Sequence, residues 1–117
     1  MNSYKKIFVP APAGVVTGGA ELLHQLVDEI NNNGGNAYVV YSDETAQVPD
    51  DYKKYNLKVA RKIEDDTQNL IVLNEGEFRR IEEFEKARVG LWWLSVDNFF
   101  FCNKKYLRLM DFWSFSR

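Results

Sequence analysis

The chain has 117 residues, 45% hydrophobic and 27% charged, which is the balance of a packed domain and not of a disordered tail. Its net charge is −2 and short basic pairs such as Lys5-Lys6 and Lys104-Lys105 lie scattered along it, so nothing resembles the clustered Lys and Arg of a nucleic-acid interface. A single cysteine, Cys102, excludes an intrachain disulfide, and one cysteine with one histidine cannot build the usual protein zinc site.

The first stretch, YKKIFVPAPAG, imitates a signal peptide. Its apolar run is only Ile7, Phe8 and Val9 before Pro10, against the roughly 7–15 residues a signal core needs. No stretch approaches the ~20 apolar residues of a membrane-spanning helix. The chain is therefore expected in the cytoplasm, free or held at the inner face of the membrane by a partner.

Residues 6–9 read as a short buried strand, β-branched and aromatic, that Pro10 stops. A loop of small residues, 11–17, leads into a predicted helix over 19–32. Its apolar positions Ala20, Leu22, Leu23, Leu26, Val27 and Ile30 recur at three and four residues. NNNGG, residues 31–35, closes that helix, because Asn and Gly tolerate the left-handed conformation of a last turn. Residues 36–42 form a second strand. Residues 43–55 are polar, a loop with room for one helical turn. LKVARKI, residues 57–63, alternates apolar and basic side chains as a half-exposed strand does. Residues 70–73 are a short apolar strand, Phe78, Ile81 and Phe84 follow at helical spacing, and residues 89–94 make another apolar strand. The tail, 102–117, is an aromatic C-terminal helix or extension.

That order predicts one Rossmann-like α/β domain over residues 1–117. The expected architecture is a three-layer sandwich, with a mainly parallel five-stranded sheet in the order 3-2-1-4-5 and helices on both faces. Ligands of such sheets sit beyond the carboxyl ends of the strands. Gly18 and Gly19 lie there, at the start of the first helix, where exposed N–H groups and the helix dipole favour an anion. The same two glycines also suit a tight turn and close helix–sheet packing. They match neither the dinucleotide fingerprint nor a P-loop.

Other candidates carry a structural role beside a functional one. His24 flanks the apolar face and is expected to be partly exposed and non-catalytic. Glu21 offsets the macrodipole or contacts a sugar or a phosphate-bound water. Glu75 and Glu77 cap a following helix or bind sugar hydroxyls. Asp97 and Asn98 after the last strand divide evenly between capping and ligand contact, with Trp92, Trp93 and Phe99 as stacking surface nearby. Adjacent in a strand, Trp92 and Trp93 point to opposite faces, so at most one shares a cleft. Cys102 is expected to be an inert buried thiol.

TGGAELLHQLVDEINNNGGNAYVVY resembles the first crossover of two-domain glycosyltransferases with the GT-B fold, in which a strand leads into a Gly-Gly-Ala-Glu helix start. NLIVLNEGEF and RVGLWWLSVDNFF resemble the family's fourth and fifth strands with their loops, so the likeness covers roughly residues 5–101. The resemblance implies the N-terminal, acceptor-side half of a hexosyltransferase of polysaccharide biosynthesis. It implies no metal and no cofactor beyond a nucleotide-sugar substrate. Gly18 and Gly19 would approach the donor phosphates, and Glu75, Asp97 and Asn98 would contact a saccharide or lipid-linked acceptor. The donor domain would be a second Rossmann domain or a partner subunit, without which the chain is expected to be inactive. The alternatives are a stand-alone anion-binding or assembly module and a fragment with no independent function. The aromatic C-terminus suggests a homodimer.

Overall fold

The computed structural model describes residues 4–93 with their side chains, and the backbone of residues 98–102 and 112–114. It is an α/β structure. In chain order it contains β1 (Lys6–Ala11), α1 (Gly18–Asn32), β2 (Ala37–Tyr41), β3 (Asn69–Asn74), β4 (Arg88–Trp93), β5 (Asn98–Cys102) and β6 (Phe112–Ser114). Two 3-10 helices, Asp50–Tyr52 and Glu75–Glu83, lie before and after β3. The sheet order is β2-β1-β3-β4-β5-β6. The first four of these strands run parallel, and β5 and β6 are antiparallel.

Alternation along the strands builds two cores. On one face Ile7, Val9 and Ala11 of β1, Ala37 and Val39 of β2, Leu70 and Val72 of β3 and Trp92 of β4 pack against Leu23, Leu26 and Val27 of α1. Fully burying such aliphatic side chains contributes about 1.5–3 kcal/mol each, so packing holds this 15-residue helix more than propensity does. On the other face Phe8, Val40, Ile71, Leu73, Val89 and Leu91 pack with Phe84 and Ala87, edged by Ala60, Ile63, Phe78 and Ile81.

The sheet departs from expectation in several places. Pro10 does not stop β1 but sits inside it, opposite Val40. The segment expected as the third strand contributes only an isolated parallel bridge, Val39↔Val59. Its inward residues are Leu57, Ala60 and Ile63, three apart, while Val59 is 44% exposed, so no period-two face exists to pair. The predicted five strands in the order 3-2-1-4-5 are replaced by four parallel strands with an antiparallel extension, β5 and β6, on the β4 edge.

Helices lie on both faces, but of different kinds: among the described residues α1 is the only α-helix, and the long 3-10 helix covers the opposite face. Phe78, Ile81 and Phe84 recur every three residues, which aligns them on a three-residue turn and drifts on a 3.6-residue one. Of the predicted C-terminal helix, residues 103–111 and 115–117 lie outside the described residues, and Phe112–Ser114 is a strand.

Candidate functional site at the switch point of the sheet

The strand order reverses between β1 and β3, which makes their carboxyl ends the switch point of the sheet. Toward β2, the pairing of β1 runs from Ile7↔Ala37 to Ala11↔Tyr41. Toward β3 it ends at Phe8↔Ile71, although β3 continues to Asn74 in register with β4. The cause is chemical. Ile7 N–H donates to Asn36 O at 2.9 Å, on the β2 side, so alternation turns Lys6, Phe8 and Pro10 toward β3. The next ladder bond would need an N–H on Pro10, which has none. Backbone pairing between β1 and β3 stops there, while Val9, Ala11, Val72 and Leu73 stay packed and buried. Pro12 repeats the missing donor two residues on.

The loop after β1 forms one rim. Ala13 N–H donates to Ser42 Oγ at 3.1 Å, tying the loop to the end of β2. Gly14 has φ +66°, a left-handed conformation that favours glycine. Thr17 caps α1: its Oγ1 accepts from Ala20 N–H at 3.2 Å, and its carbonyl accepts from Glu21 N–H at 2.9 Å. The N–H groups of Gly18 and Gly19 precede those served by the cap. Gly18 is exposed, needs no unusual φ, and a Cβ built there meets nothing within 4 Å. Neither the turn nor packing explains its missing side chain.

The connection from β2 to β3 clasps the helix from outside. Tyr52 Oη donates to Thr17 O at 3.3 Å, and Tyr55 Oη donates to Glu21 Oε2 at 2.7 Å. Glu21 is thus engaged in holding the helix start.

His24 is fully buried, contrary to the expectation of a partly exposed ring. Its Nδ1 lies 2.7 Å from Ala20 O, which only accepts, so Nδ1 carries the proton. Nε2 then accepts from Tyr41 Oη at 2.8 Å, and the Tyr52 ring lies 4.2 Å away, centroid to centroid. Burial lowers the His24 pKa, against smaller raising effects of the Ala20 carbonyl and Glu21. Burial also pushes the Tyr41 hydroxyl up to about 12, with Tyr52 adding to it. The ring is neutral with both nitrogens occupied, which is a structural role under the site floor and not that of a base.

At the same edge, Asn74 ends β3 and caps the 3-10 helix, its Oδ1 accepting from Gly76 N–H at 2.8 Å. Glu75 follows, partly exposed, so topology brings Gly18, Gly19 and Glu75 to the same edge. Glu77 instead pairs with Arg80 at 3.6 Å. Asn98 does not lie in a loop: it opens β5, its backbone paired with Trp93 and Ser114. Asp97 and the side chains of Asn98, Phe99 and Cys102 lie outside the described residues. Trp92 is buried on the α1 face and Trp93 is 40% exposed, as adjacent strand residues require.

What sequence reasoning missed was the pair Pro10 and Pro12. Two prolines two apart in a strand strip donors from one edge, and VPAPAG carried that signal. Among the described residues, no group of three or more His, Cys, Asp or Glu side chains is placed to hold a metal ion, and no helix is long and apolar enough to cross a membrane. Comparison with protein-family models, with curated proteins and with solved structures gives no match.

Proposed function

We propose that this chain is the acceptor-side, Rossmann-like half of a nucleotide-sugar-dependent glycosyltransferase of the GT-B type. In this proposal the edge at the carboxyl ends of β1 and β3 faces a donor domain supplied by a second Rossmann domain or a partner subunit. Gly18 and Gly19 approach the donor diphosphate, whose charge the start of α1 complements. Glu75, with Asp97 and Asn98, contacts the acceptor. The observation that carries the proposal is the open space at Gly18, at the carboxyl ends of two strands whose pairing Pro10 cuts short. The antiparallel ending favours a second reading, a stand-alone anion-binding or assembly module, because it places the short strand β6 at an edge of the described sheet, where strand addition by another chain takes place.

Amide resonances of Gly18 and Gly19, followed while a nucleotide diphosphate sugar is titrated in, test the first reading. They should shift on titration, and Gly18→Val should abolish the shift while changing stability by less than about 0.5 kcal/mol. Unperturbed glycine amides, or equal loss of binding and stability in the variant, would sink it.

A further inference from the structure

A second cleft lies on the opposite face of the sheet from α1, at the end of β2. Its volume is about 570 Å³, within the range of small-molecule sites. Val40, Ile63 and Phe84 give it an apolar floor, and its walls differ in charge. On one wall stand Arg61 and Lys62, both exposed and without a hydrogen-bond or ion-pair partner among the described residues. On the other, Arg80 is already taken: its Nε lies 3.3 Å from Glu83 and its Nη1 3.6 Å from Glu77. That wall keeps an excess of acceptors, and Glu44 adds one more carboxylate to the cleft.

The geometry points to a binding site for a small phosphorylated sugar or polyol. A guanidinium and an ammonium side by side suit a dianionic phosphate, the first as a fork and the second as a point charge. The carboxylates repel a second anion and accept hydrogen bonds, so the rest of the ligand must present donors, and hydroxyl groups do so without adding charge. The site uses none of Gly18, Gly19 and Glu75, and it stands whether or not the chain is half of a transferase.

Two-dimensional NMR on the full chain, with glucose-6-phosphate, glucose and inorganic phosphate as separate probes, provides the test. Glucose-6-phosphate should shift amides at residues 61–63 and around Phe84 and bind more tightly than either fragment. The double variant Arg61→Ala, Lys62→Ala should weaken it at least tenfold with unfolding unchanged, since neither side chain has a partner to lose. Glu83→Gln should weaken glucose-6-phosphate but not inorganic phosphate. Added salt should weaken both. Gly18→Val should leave this binding intact, which separates it from any nucleotide effect. Absence of shifts at residues 61–63, equal affinity for phosphate and glucose-6-phosphate, or an unaffected double variant would each overturn the assignment. Tighter binding of phosphoserine, which offers an ammonium in place of hydroxyls, would overturn the ligand class.

Discussion

Two buried or half-buried polar side chains set how the protein responds to acid. His24 fills both ring nitrogens, one with the Ala20 carbonyl and one with the Tyr41 hydroxyl. Replacing it with Leu should cost about 1–3 kcal/mol, because the Tyr41 hydroxyl is left buried without an acceptor. Adding Tyr41→Phe should recover part of that loss in chemical denaturation. Because the folded His24 pKa lies below the ordinary 6.5, the unfolded chain takes up its proton first. Stability should hold above about pH 6.5 and fall as pH drops through the folded value, and the His24→Leu, Tyr41→Phe pair should lack that slope.

Asp65 acts at a lower pH. Burial pushes its carboxyl up, but three backbone N–H groups, those of Ala87, Glu85 and Lys86, outweigh that and hold it below the usual carboxylate range. The bonds measure 2.7, 2.8 and 3.0 Å respectively and pin the turn into β4. The stabilisation is present above the ordinary value of 3.8 and is lost as pH falls through the folded one. Asp65→Asn should destabilise at neutral pH by about 1–3 kcal/mol, and the gap from the parent should narrow in acid, read from urea midpoints at a series of pH values.

At the scale of elements, the early end of the β1–β3 ladder depends on a missing donor. Pro10→Val supplies the N–H that faces β3, and should extend the ladder beyond Phe8↔Ile71 and add about 1 kcal/mol of stability. A newly protected amide at position 10 of that variant, together with loss of nucleotide binding, is the expected outcome; an unprotected amide there would mean that proline is not what ends the ladder. Helix α1 and strands β1 to β4 are legible in the sequence because each is an apolar run or stripe, and NNNGG closes α1. Residues 57–63 mislead because Leu57 and Val59 flank Lys58 and read as one inward face, yet Val59 faces solvent. The long 3-10 helix is legible as helical but not by type, since three apolar residues cannot separate a period of 3.0 from 3.6. The place of His24 is hidden because its burial depends on Tyr41 and Tyr52, 17 and 28 residues away, which no local pattern encodes.

For the whole molecule, the antiparallel pairing of β5 and β6 beyond β4 puts β6 at one edge of the described sheet and β2 at the other. The Val39–Val59 bridge and its two hydrogen bonds, from Val39 N–H to Lys58 O and Ala60 N–H to Val39 O, cover the β2 edge in part. A three-residue strand closes the β6 edge, and the C-terminal stretch is rich in Phe, Tyr and Trp. Self-association through this region, most simply as a symmetric dimer, is the expected behaviour. Sedimentation at micromolar concentration should show it, and a chain ending at Asn103 should be monomeric with its circular dichroism retained. A monomeric intact chain would refute the dimer.

The early end of the β1–β3 ladder also bears on how the protein comes apart. Only Lys6, Ile7 and Phe8 of β1 are in register with β3, whereas β1 with β2 and β3 with β4 stay paired to their carboxyl ends. Backbone pairing across this seam is thus confined to one end, although both cores span the four parallel strands. Partial unfolding should follow that seam, as two cooperative units with separate opening free energies. A ligand that bridged the seam would lock the units together, so its binding would register as slowed hydrogen exchange on both sides of the sheet at once.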